Sequence, residues 1–280
     1  MTGTVFASVL LAALLHAGWN ALVKGGADKH LNLCAVVLGQ AAVAALVLPF
    51  VPAPAPDSWP WIAGGVVLHI GYQAVLLRAY RLGDLSQVYP LARGSAPLIV
   101  ALVSLTMLGT TLTGIEILAI AVIATGILSL ALTRGHGGLR NLPAAGYALL
   151  TGCFIAAYSL NDGLGARLAG TALGFYAWVA LLNGVVFVPL TARVAPHLLR
   201  LTFTTAWPTF VIGGIASFSA YAIVVHAFVS TPIALVTALR ETSIVFALAI
   251  GVGLLGERMT PAKLVSITAT VTGAALLRLV

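Results

Sequence analysis

Tyr89-Pro90-Leu91-Ala92-Arg93-Gly94-Ser95-Ala96-Pro97 places a full positive charge and two prolines inside an apolar run that covers 86–106. An arginine near the middle of a bilayer-length helix costs roughly 2.5–3.5 kcal/mol on insertion scales. A second stretch, Ala238-Leu239-Arg240-Glu241-Thr242-Ser243, carries the same cost, and Arg240 follows Arg93 by 147 positions. A chain that does this twice, at matching places in two halves, points to a use for the charge. The sequence therefore suggests that Arg93 and Arg240 flank a central polar cavity.

Composition fixes the surroundings. Of 280 residues, 60% are hydrophobic and 8% charged, against roughly 25% charged in soluble domains. Such a chain cannot cover a water-facing surface and reads as an integral membrane protein, its partner the lipid bilayer. Ten apolar runs follow one another, at 4–23, 33–52, 60–80, 86–106, 112–132, 143–163, 171–192, 207–228, 232–254 and 261–279. Each approaches the ~20 residues that cross ~30 Å of hydrocarbon. They read as helices, because unpaired backbone cannot face lipid and no alternating barrel pattern appears. The first run is long enough to span, which favours a first helix over a cleaved leader. The net charge of +7 sits mainly in short loops, so it speaks for membrane orientation and not for nucleic acid. Cys34 and Cys153 lie in apolar segments and read as small packing residues.

Internal repetition sets the expected architecture. Trp59-Pro60 recurs as Trp207-Pro208, and Gly64-Gly65 as Gly213-Gly214. Arg93 matches Arg240, Gly109 matches Gly256, Thr113 matches Thr260 and Gly126 matches Gly273, all at an offset of 147. The expected units are residues 1–140 and 141–280, five spans each. An odd number of spans inserts the second half upside down relative to the first. The fold class expected is thus an all-α membrane protein of ten transmembrane helices, two five-helix inverted-topology repeats around a central cavity. Loops after odd spans hold Lys24, Lys29, Arg78, Arg81, Arg134, Arg140, Arg193, Arg200, Arg258 and Lys263, and the other side holds Arg167 and Arg278. That bias places the basic loops in the cytoplasm and both termini outside.

Arg93 lies about 10 Å into its span from one face and Arg240 a similar depth from the other. Two planar guanidinium forks can hold a carboxylate or phosphate. The competing reading is structural pairing. Arg240 and Glu241 are adjacent and do not face each other on a helix, so Arg93 with Glu241 is the better bridge. Glu241 is either a counter-ion or a proton-coupling group. Pro90 and Pro97 each remove a helical hydrogen bond and permit a kink. His16, Trp19 and Asn20 form a polar group in span one; His69, Tyr72 and Gln73 form another in span three. His16 and His69 can carry protons, or simply bond between helices. Tyr158, Asn161 and Tyr221 are either ligand contacts or helix–helix bonds, and Tyr89, one turn before Arg93, can order its guanidinium. His226 reads as interfacial. Gly126 and Gly273 read as close helix packing.

The stretches YPLARGSAP at 89–97, LRETSIVFA at 239–247 and LLGERMTPAKL at 254–264, followed by the Gly273 helix, resemble the drug/metabolite transporter superfamily, in particular its EamA-type ten-helix branch. The opening HAGWNALVK at 16–24 looks, more loosely, like the phosphonate-utilisation-associated members. The resemblance implies two inverted five-helix repeats and alternating access. It also implies a cavity lined by the fourth and ninth helices with the first, third, sixth and eighth. One departure stands out: Glu257 follows Gly256, but Thr110 follows Gly109, so that acid is not duplicated and receives no transport role.

Three functions compete. The first is secondary active transport of a small anionic or zwitterionic metabolite, such as an amino acid or organophosphonate. The second is export of cationic or aromatic compounds, with Glu241, Trp19 and the tyrosines as the binding face. The third, a membrane-embedded enzyme, lacks any metal-ligand spacing or nucleophile motif. No Gly-rich Lys-Ser/Thr phosphate loop occurs either. No cofactor and no metal are expected. One chain of ten spans suffices for a cavity, and a dimer stays open. A cell or inner membrane is the expected location.

Overall fold

A computed structural model describes residues 1–25, 28–83, 85–131, 141–253 and 256–279. Arg134 and Arg140, named above, lie outside the described residues, as do Asp84, the Gly135–Gly138 stretch that reads as a turn, and the side chain of Lys24. Among the described residues there is no strand, and ten helical spans are long and apolar enough to cross a membrane. The chain is an all-α, multi-pass membrane protein.

The first seven spans are single helices: α1 (Gly3–Gly25), α2 (Lys29–Val47), α3 (Trp59–Leu82), α4 (Leu85–Thr106), α5 (Gly114–Ala131), α6 (Leu142–Leu168) and α7 (Ala172–Val194). A short helix, α8 (Pro196–Thr204), follows. The eighth span opens with a π-helical turn at Thr209–Gly213 and continues as α9 (Gly214–Ser230). The ninth is split into α10 (Ile233–Arg240) and α11 (Ser243–Gly253), and α12 (Pro261–Leu279) is the tenth.

The helix starts follow local chemistry. Asp28 accepts from the amides of His30 and Leu31, Asn141 from that of Ala144, and Thr171 from that of Gly174, each satisfying donors that a helix leaves free at its start. Thr113 accepts from the Glu116 amide while Glu116 accepts from the Thr113 amide, a reciprocal cap on α5. α3 begins at Trp59 with proline in its first turn.

α4 and the ninth span form the centre. Their apolar windows are 56% and 67% buried, against 22–44% in the other eight. α4 packs on α5, α6 and α10; α3 packs on α6, α1 on α9 and α11, α2 on α7, and α5 on α12. At the α5–α12 crossing a Cβ on Gly126 would fall 2.5 Å from Ala269 Cβ, and one on Gly273 2.5 Å from Ile123 Cγ1. The packing role read from the sequence for both glycines holds. Leucines and valines such as Leu102, Leu118, Val185 and Val271 are exposed on the outside of the bundle, as lipid contact demands.

Pro90 and Pro97 do not interrupt the fourth span. α4 runs through both prolines, which are buried against neighbouring helices. Each costs one backbone bond that surrounding protein can offset. The interruption falls in the ninth span instead. There Glu241 and Thr242 donate to carbonyls three residues back, and the Thr242 hydroxyl donates to Leu239 O at 2.7 Å. Tight turns of this kind end the regular i−4 ladder, and α11 restarts at Ser243.

Candidate functional site

The arginines meet where α4 crosses the break between α10 and α11. Arg93 is 4% exposed, Arg240 3% and Glu241 1%. Arg93 Nε lies 2.7 Å from Glu241 Oε2, an ion pair by distance whose N–H does not point along the contact. Arg93 Nη2 donates to Ser243 Oγ at 3.2 Å. Arg240 Nη2 lies 3.7 Å from Glu241 Oε1. The adjacent pair can meet because Glu241 sits in the turn and not on a helix face. The bridge between Arg93 and Glu241 is the structural pairing that the sequence offered as an alternative, and it is present.

The pairing leaves a surplus. Two guanidinium groups face one carboxylate. Arg240 Nε and Nη2 and Glu241 Oε1 have no hydrogen-bond partner among the described residues, and neither do Trp19 Nε1 and Gln73 Oε1. Buried charge without such partners is costly. Aromatic faces soften it. Arg93 lies 5.8 Å from the Tyr89 ring centre, and Arg240 lies 6.0 Å from that of Tyr158 and 5.8 Å from that of Tyr221. Rings at this range attract a cation.

Other expected residues fall around this cluster. His16 and Trp19 pack edge to face at 5.0 Å, and His16 is within electrostatic reach of both arginines. Asn20 donates to its own helix at His16 O, 2.8 Å, so that amide serves α1. Tyr72 packs against Tyr158 at 5.6 Å. Pro97 has no amide to bond the Arg93 carbonyl. His226 is exposed, and Cys34 and Cys153 are free thiols.

The sequence reading passed over Asp162. It placed the end of the sixth span at 163, which put this acid near water. α6 continues to Leu168, and Asp162 is fully buried. Its Oδ2 accepts from Tyr221 Oη at 2.9 Å and faces His69 Nε2 at 2.9 Å, and its Oδ1 accepts from Asn161 Nδ2 at 3.0 Å. A carboxylate only accepts, so this assigns the His69 proton to Nε2. His69 stacks on Tyr158 at 4.4 Å, which joins this second cluster to the first. The available signal was that Asp162 is one of seven acids in the chain and abuts a long apolar run.

Cavities of about 400 and 390 Å3 open at the end of the bundle where α6 and α9 finish. They share Ser230, Thr231 and Pro232, and neither is lined by Arg93, Arg240 or Glu241. Arg167 borders the larger one and donates from Nε to Phe228 O at 2.9 Å and from Nη2 to Thr231 O at 3.1 Å. It clamps the ends of α6 and α9 together.

No family model and no curated protein matches the chain. Its fold is similar to that of a solved protein crystal structure, with a TM-score of 0.76 over 100% of this chain and 98% of the other, at 18% identity. At that identity the likeness speaks for the fold.

Proposed function

We propose that the chain is a secondary active transporter of the drug/metabolite transporter type. It moves a small anionic or zwitterionic metabolite across a cell membrane by alternating access. The observation that carries this reading is the Arg93–Glu241–Arg240 cluster. In it two cations face one carboxylate at the most buried crossing of the bundle, Arg240 directs unpaired donors there, and the neighbouring acid, Asp162, is engaged by its own three donors. A carboxylate, phosphate or phosphonate group would supply the missing acceptors.

An inverted repeat supports alternating access, and several features support the repeat. Gly109 and Gly256 both adopt left-handed backbone, φ +62° and +67°. Thr113 and Thr260 each accept from the amide three residues on. Exchanging each span with the one five places away maps α3–α6 onto α1–α9, α4–α6 onto α1–α11 and α4–α5 onto α11–α12, all of which pack. The basic loops after odd spans favour a cytoplasmic position for that end, with both termini outside.

The test is a thermal-shift screen of amino acids and organophosphonates, since a ligand that binds the folded state raises its apparent stability. Counterflow of the hit in proteoliposomes follows. Folded Arg240→Met protein should lose both the shift and the counterflow. Hits confined to cationic or aromatic compounds, insensitive to Arg240, would instead establish the exporter reading, with the tyrosines as its binding face.

A further inference from the structure

The repeat is not packed evenly. α6 and α9 pack together, whereas their counterparts α1 and α3 make no comparable contact among the described residues. The α6–α9 side is closed by two polar ties, Arg167 to the end of α9 and Tyr221 to Asp162. Asp162 is therefore a load on a closed seam. It also touches α3 through His69, and Asn161 beside it donates to Trp61 O at 2.8 Å.

We propose that Asp162, reached through His69, is the proton-binding site that controls closure of α6 against α9, and that Glu241 is a fixed counter-ion. This rests on the transport reading and adds its coupling ion. Asp162 has no exposure of its own, while the His69 side chain keeps 16%. The imidazole ring is therefore the part of the dyad that is open to its surroundings, and the proposed route for a proton runs through it. A proton taken up at His69 Nδ1 makes imidazolium, which passes its Nε2 proton to Asp162 Oδ2. His69 returns to neutral as the other tautomer, and one proton has moved from water to the carboxyl. The neutral carboxyl holds its donors less strongly than the carboxylate did, so the α3–α6–α9 tie weakens and the seam can part.

The titratable and charged groups around Asp162 are His69 and Tyr72 on α3, Tyr158 on α6, Tyr176 on α7, Tyr221 on α9 and Arg240 on α10. Phenols and guanidinium ordinarily keep their protons up to about pH 10 and beyond. Glu241 differs from Asp162 because two cations face it from α4 and α10.

The experiment uses the full chain in liposomes with Cys34 and Cys153 replaced by serine. Val229→Cys carries bimane and Leu168→Trp is its quencher, both at exposed positions flanking the seam. A pH jump between about 8 and 5, with no substrate, should dequench the parent protein as the seam opens. Asp162→Asn should show the acid-state fluorescence at every pH. His69→Gln keeps a donor toward Asp162 but cannot relay, so it should reach the same end states about 10²-fold more slowly, the usual scale of a positioned proton carrier. A parent protein that does not respond, or an Asp162→Asn response like the parent's, overturns the proposal. If Asp162→Asn does not fold, an unslowed His69→Gln response overturns it and a slowed one supports it. Failure here leaves the Arg240 counterflow result untouched, so the two proposals fall separately.

Discussion

Two polar clusters sit in contact inside this bundle and solve opposite problems. Around Glu241, two cations share one acid, and donors on Arg240 go without partners. Around Asp162, one acid takes donors from three side chains, and both of its oxygens are occupied. A buried acid that is fully hydrogen-bonded holds helices in place until its charge changes. A buried cation with spare donors is stable only beside something that brings acceptors. In the sequence Glu241 stands beside Arg240 inside an apolar run, whereas Asp162 stands at the end of one. The contrast lies in what each charge meets.

The largest break in this contrast comes from Glu241→Gln. It is isosteric but leaves both guanidiniums without a counter-charge. Removing one member of a buried ion pair typically costs about 3–5 kcal/mol. The thermal midpoint of the purified protein should drop more than for any other single change at either cluster, and high salt should recover little of it in so buried a site. An unchanged midpoint would mean that the ion pair at 2.7 Å contributes nothing net.

How far the sequence carried can be read from single residues. Ten helices were legible because lipid demands long apolar runs and the turns between them carry Gly, Pro and Asp. Gly109 and Gly256 were legible as a matched pair because only glycine adopts their left-handed backbone freely. The pairing of Arg93 with Glu241 was legible as one of two options, since two opposite charges in one bilayer seek each other. Asp162 was not. Its segment Asn161-Asp162-Gly163 dilutes the hydropathy, so the run seemed to finish, whereas α6 continues because neighbouring helices satisfy Asp162 and Arg167. Pro90 and Pro97 do not mark where a span is interrupted. Proline warns of a break, but packing can hold a helix through it, while the turn at Glu241 and Thr242 carries no such residue.

A middle-sized effect should come from Tyr221→Phe, which removes one of three donors from Asp162 and keeps the ring beside Arg240. Hydrogen bonds to a charged group contribute about 1.5–3 kcal/mol. The loss should appear as a lower thermal midpoint and as faster proteolysis in the 168–172 connection, where the α6 end depends on α9. Because the ring remains, ligand binding at the arginines should persist. A variant that loses ligand binding with no fall in midpoint would merge the two clusters into one site and erase the distinction.

The smallest effect on stability is also the sharpest for the comparison. Arg240→Met keeps most of the side chain's apolar stem and removes a charge whose own contact to Glu241 is 3.7 Å and whose Nε and Nη2 are unpaired. Removing one member of a buried pair is costly when it strands the other, but here Glu241 keeps Arg93 as its close partner. The midpoint should therefore change little, while Arg93→Met, which strips Glu241 of its close partner and Ser243 of its donor, should lower it. Ligand-dependent stabilisation should vanish in both. If Arg240→Met instead destabilises the protein as much as Arg93→Met, the two arginines are equal struts. The unpaired donors of Arg240 would then be no sign of a ligand.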